Sequence, residues 1–300
     1  MENNGAHYRI NGLRNPTPDN PCVSLTVLCL VLIAAAIHAT WNAMLKTGTD
    51  RMWWMTMLCL ASGVLAALVL PFVPPPAPES WPYIAGSAAL HVAYQFLLAN
   101  TYSRGEFSQT YPIARGSAPM LVALGGFLVA GEALTALEVV GIATVSAGII
   151  ALAFQTGRFH AEAAPAALAT GFCIALYSVV DGIGGRAAHS PVAFLAWMTL
   201  LWSIVIVVIY IWRSGVRALI VRPARDILAA GSGGVIASAG YGIVIWAMTL
   251  SPMGPVSALR ETSVVFAAVI ARLFMNERPS LYRVLACVTV AFGAGVLALR

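Results

Sequence analysis

The chain has 300 residues, of which 59% are hydrophobic and only 10% charged, with a formal net charge of +5. Soluble domains carry about 25% charged residues, so this much apolar surface needs lipid as its solvent. Of the 17 basic residues only Lys46 is a lysine, and the arginines are scattered through short loops, which argues against a nucleic-acid-binding face.

Residues 1–22 are polar, with Asn, Gly and Pro, and read as a disordered N-terminal tail. The apolar run that follows is longer than a signal-peptide core, so it is expected to remain as a first helix. A bilayer core about 30 Å thick takes about 20 apolar residues in a helix. Charge-free stretches bounded by turn residues predict helices over 23–45, 52–72, 82–103, 107–130 and 134–155. After a short polar link they predict 163–183, 191–212, 225–249, 253–274 and 280–299. The links are short and proline-rich, as in Pro71-Phe72-Val73-Pro74-Pro75-Pro76, and leave nothing for a separate soluble domain. The expected fold class is an all-α membrane protein of ten transmembrane helices.

The two halves repeat each other. Glu106 to Ala153 matches Ser251 to Ala298 at a constant offset, so Arg115 falls on Arg260, Ser117 on Thr262, Glu132 on Glu277 and Gly148 on Gly293. In the opening helix of each half, His38 falls on Tyr177 and Asn42 on Asp181. A unit of five helices enters and leaves on opposite sides, so a tandem copy must lie inverted. Inverted repeats are typical of secondary transporters, with the site between the halves near the midplane.

Five cysteines (Cys22, Cys29, Cys59, Cys173 and Cys287) lie in or beside apolar runs, with no CxxC pair and no metal spacing, and read as packing residues. No GxxxxGK[ST] loop, HExxH or GxSxG is present. No cofactor, metal or enzyme activity is therefore expected. A membrane-embedded enzyme or a channel remains the alternative.

Two motif pairs carry a family likeness. Tyr111-Pro112-Ile113-Ala114-Arg115 and Gly131-Glu132-Ala133-Leu134 are answered by Ala258-Leu259-Arg260-Glu261-Thr262 and Asn276-Glu277-Arg278-Pro279. With these the chain resembles the EamA-type family of the drug/metabolite transporter superfamily, over nearly all of its length after the tail. The resemblance implies two EamA-like repeats, 23–155 and 163–300, in the inner membrane. It implies an exporter or exchanger of a small metabolite, such as an amino acid or a related polar or aromatic compound. Its partners would be that substrate, the lipid bilayer and protons, with the chain a monomer or homodimer. It also implies cytoplasmic termini. Arg213, Arg217, Arg222 and Arg225 would then lie outside with Lys46 and Arg51, whereas the positive-inside rule favours the reverse.

Asp181 follows a long charge-free run, and an ionisable group in a spanning segment is read first as functional. Its carboxyl suits a cationic group or an exchangeable proton; the other reading places it at a helix end, touching water. His38 and Asn42 share a helix face, as do Tyr177 and Asp181, and Trp41 adjoins the first pair. His91, Tyr94 and Gln95 lie mid-run in the third helix, with Tyr241 and Trp246 in the related eighth. Together they are the expected substrate-binding residues. Trp53, Trp54, Trp81 and Trp212 near predicted ends read as interface anchors. Arg115, Arg260 and Glu261 are expected as structural or gating residues, with snorkelling as the alternative for the arginines. Glu132 and Glu277 are expected to cap helix starts. Pro112 and Pro119 are expected to bend or break their helix.

Overall fold

The structure, a computed structural model, describes residues 23–46, 50–104, 107–155, 161–274 and 279–299. The expected tail and Glu277 lie outside the described residues. The described part is helical and contains no strand. The first half holds α1 (Leu25–Lys46), α2 (Arg51–Val69), α3 (Trp81–Arg104), α4 (Phe107–Ala130) and α5 (Ala136–Ala151). The second holds α6 (Ala164–Ala187), α7 (Pro191–Ser214), α8 (Val216–Ile220), α9 (Ala224–Leu250), α10 (Met253–Arg260), α11 (Ser263–Phe274) and α12 (Leu281–Ala298).

The helix starts obey local chemistry. Asp50, Thr135, Ser190 and Ser280 each accept the backbone N–H three residues on, and Thr135 with Glu138 forms a full capping box. Gly215, at φ 81°, ends α7 in a conformation that side chains resist.

Among the described residues, eight helices are long and apolar enough to cross a membrane. They are α1, α2, α4, α5, α6, α7, α9 and α12. The chain is a multi-pass membrane protein.

Three features depart from the sequence reading. The helix expected over 253–274 is two helices, α10 and α11, broken at Arg260-Glu261-Thr262. Around the break the N–H groups of Glu261, Thr262 and Val264 reach back three residues rather than four, so the chain tightens into a 3₁₀-like turn. Conversely, α4 runs unbroken through Pro112 and Pro119. Proline is tolerated inside a membrane helix where neighbouring helices and local adjustment re-satisfy the freed carbonyls, and both prolines are buried in the bundle. Finally, Trp53 and Trp54 are not interface anchors. They are 1% and 8% exposed, packed with Tyr210 and Leu219, and the Trp53 indole donates to the Leu219 carbonyl at 2.9 Å. The five-residue α8 supplies that partner. Trp212, 84% exposed, does face outward.

Packing is paired across the halves. Helix α3 lies on α6 as α9 lies on α1, and α4 lies on α6 as α11 lies on α1; α2 pairs with α7, and α5 with α12. The α5–α12 contact depends on the related glycines Gly148 and Gly293. A Cβ on Gly293 would stand 2.8 Å from Val145 Cγ2 and 3.0 Å from the Gly141 carbonyl. One on Gly148 would stand 2.9 Å from Val290 Cγ2. Gly293→Val is therefore expected to lose about 1–3 kcal/mol by overpacking, read as a lower unfolding midpoint in detergent. An unchanged midpoint would mean that α5 and α12 do not pack this closely.

Candidate functional site

Polar side chains gather in three clusters inside the bundle. The first surrounds Asp181. Because α6 continues to Ala187, this residue stands well inside its helix, not at its end, and is fully buried. The Tyr241 hydroxyl of α9 donates to its Oδ2. His91 of α3 places Nε2 4.0 Å from the same oxygen. The other ring nitrogen of His91, Nδ1, lies 3.0 Å from the Ser87 carbonyl and 3.3 Å from the Ser87 hydroxyl. Rings complete the cluster. His91 and Tyr177 are 4.3 Å apart between centroids, and Trp202 of α7 stacks near His91 at 5.8 Å and 26°. Tyr94 meets Tyr177 edge-on at 5.6 Å.

The second cluster joins α1, α4 and the break between α10 and α11. Arg115 Nε stands 2.9 Å from Glu261 Oε2, and Arg260 Nη2 stands 3.4 Å from Glu261 Oε1. Arg115 Nη2 also lies 3.3 Å from His38 Nε2 and its guanidinium 5.9 Å from the Tyr111 ring centroid. Arg115, Arg260 and Glu261 are 4%, 3% and 0% exposed, so neither arginine snorkels. In an unbroken helix Arg260 and Glu261 would point about 100° apart. The helical break lets both meet, and it tolerates non-helical backbone at depth because Glu261, Thr262 and Ser263 are buried in protein.

The third cluster ties helix ends together. Gly131, at φ 67°, turns the chain after α4 and brings the Glu132 N–H back to the Gly126 carbonyl at 3.0 Å. A Cβ on Gly126 would lie 2.5 Å from Glu132 Oε2, so glycine there makes room for the carboxylate. Glu132 does not cap its own following helix, whose N-cap is Thr135. It accepts the Met253 N–H that opens α10, at 2.9 Å, and pairs with Arg186 Nη2 at 2.5 Å. Arg186, at the end of α6, also donates to the carbonyls of Met248 and Ser251 at the end of α9. Sequence reasoning missed Arg186, because nothing local marks a helix-end arginine as the partner of two other elements. It also missed Trp202, one of several tryptophans in α7.

The remaining expected residues lie elsewhere. Asn42 donates its side-chain amide to the His38 carbonyl of its own helix at 2.8 Å. Trp41 sits edge-on against His38 at 5.0 Å. Gln95 lies on α3 one turn beyond His91, partly buried. Trp246 packs beside the main apolar cluster of the bundle.

The sequence profile of the EamA-like transporter family matches residues 162–299. The second half belongs to that family, within the drug/metabolite transporter superfamily. This EamA-like half contributes Tyr177, Asp181, Arg186, Tyr241, Arg260 and Glu261 to the three clusters. No curated protein matches the sequence. A solved structure, described only as a crystal structure of a protein, shares the fold at a TM-score of 0.71. It is 20% identical, and the alignment covers 91% of this chain and 96% of that one.

Proposed function

We infer that the chain is a secondary transporter that moves a small metabolite between its halves by alternating access. The observation that carries this reading is the buried polar interior: Asp181, at 0% exposure, and Arg115 lie in helices of membrane-spanning length, and they stand with Glu261, also at 0%, and Arg260 at the α10–α11 break. Charges at such depth are costly and persist where they line a pathway or hold its walls. The EamA-like second half and the helix broken beside buried charges support it, since broken helices mark transporter sites.

The reading has ten crossings in two inverted units, 23–155 and 163–300, in the inner membrane. Helix α3 spans 24 residues, about 36 Å, and is less apolar than the other eight because it carries Ser87, His91, Gln95 and Asn100. The α10–α11 pair, the counterpart of α4, supplies the tenth crossing. The exchanged packing of helix pairs supports a two-fold relation. The cargo class is an amino acid or a related polar or aromatic compound, exported or exchanged, with Asp181 and His91 as the place where a coupled proton resides. The Glu132–Arg186 cluster lies about 7.5 Å beyond Asp181 along α6 and closes that end.

Reporters fused at the N-terminus, within the link at 156–160 and at the C-terminus test the topology. If α3 crosses, five spans separate the N-terminus from the link, and if α10–α11 crosses, five separate the link from the C-terminus, so the link reporter lies opposite both of the others. A link reporter on the same side as either terminus would mean that one of these crossings is missing and the inverted arrangement is wrong. Saturable counterflow in proteoliposomes separates a carrier from a channel, and its absence for every amino acid and metabolite tried would count against transport.

A further inference from the structure

Asp181 is the buried group whose charge the protein leaves least answered. Its Oδ1 has no hydrogen-bond partner among the described residues. The buried arginines are engaged elsewhere: Arg115 and Arg260 with Glu261, Arg186 with Glu132. Among the described residues, His91 alone comes within ion-pair range, at 4.0 Å. A buried carboxyl with a tyrosine hydroxyl and a histidine beside it, and no arginine paired to it, calls for a cation or a proton.

The surroundings select the kind of cation. A hard metal ion needs several oxygen ligands, and among the described residues no group of three or more His, Cys, Asp or Glu can hold one. What stands beside Asp181 instead are the rings of His91 and Tyr241, with Tyr177 and Trp202 packed on the His91 ring. His91, Trp202 and Tyr241 keep some accessible surface although they lie mid-helix. Aromatic faces carry negative potential and attract organic ammonium groups, which shed their water more readily than compact ions. An anion would meet the same faces and the carboxyl as repulsion.

We propose that the substrate carries a cationic amine, received by the Asp181 carboxyl and the rings of His91, Tyr177, Trp202 and Tyr241. This rests on the interior being the substrate pathway, and it narrows the cargo to amine-bearing molecules.

The test is ligand binding to the purified full chain, read by thermal unfolding and tryptophan fluorescence. The probes are tryptamine, its uncharged counterpart 3-methylindole and the anionic indole-3-propionate. Tetraethylammonium and spermidine extend the range of size. At least one cationic probe is expected to raise the unfolding midpoint with increasing concentration, while the neutral and anionic indoles do not. Asp181→Asn is expected to weaken that binding about 10- to 100-fold, the range for a hydrogen bond to a charged group. Tyr241→Phe is expected to keep the preference for cations. Should Asp181→Asn fail to fold, the charge series on the native chain decides alone.

Binding of no cationic probe, equal binding of the neutral indole, or undiminished binding by folded Asp181→Asn would overturn the proposal. The last result would leave Asp181 as a proton site only. The assay needs no transport: a chain that binds amines yet moves no solute contradicts the transporter reading instead.

Discussion

Glu261→Gln is expected to be among the most damaging single substitutions in the chain, at about 3–5 kcal/mol. Glu261 is fully buried and faces two guanidinium groups, Arg115 at 2.9 Å and Arg260 at 3.4 Å. Removing its charge leaves two buried positive charges near His38 with nothing to offset them. Intact, the triad stabilises little, because desolvation of three ions offsets most of their attraction. The triple variant Arg115→Met, Glu261→Leu, Arg260→Met should therefore be more stable than Glu261→Gln alone. Unfolding midpoints at one heating rate in one detergent decide this. A mild single variant, or a triple variant no better than the single, would mean that the three groups do not form one unit.

Arg186→Met should cost a similar amount, for a different reason. Arg186 holds Glu132 and two carbonyls at the end of α9, while Glu132 holds the first N–H of α10. Loss of the arginine strands a buried carboxylate and opens the joint between α6, α9 and α10. About 3–5 kcal/mol is expected, with faster amide hydrogen exchange at the start of α10. Asp50→Asn is the natural contrast. It breaks the pair with Arg222 at 2.6 Å, but those side chains are 40% and 32% exposed. An exposed pair is worth less than about 1 kcal/mol. Equal losses for Arg186→Met and Asp50→Asn would contradict the buried latch.

Much of this arrangement was readable in the sequence, because lipid imposes strict rules. A span must be about 20 apolar residues long, so the charge gaps give the helices directly. The recurrence of Arg115 at Arg260 located one polar cluster before any coordinates. What stayed hidden depends on tertiary partners. The apolar run over 263–274 carries no signal for a break, and Glu261 decides the matter only once Arg115 arrives from another helix. Prolines usually mark kinks, yet α4 absorbs two of them while the break falls where there is none. Arg186 looks like any helix-end arginine until α9 and the turn after α4 converge on it. Trp53 sits at the depth of an interface anchor but is enclosed by the short α8, which periodicity over five residues could not reveal.

Cysteine accessibility at Tyr94 is the most direct measurement of the whole account. This ring of α3 meets Tyr177 beside Asp181. Tyr94→Cys, in a chain whose native cysteines are replaced, would be treated with a membrane-impermeant maleimide in vesicles of each orientation. Labelling from both faces is the expected result, because the interior opens to each side in turn. Labelling from one face alone, or from neither, would contradict it.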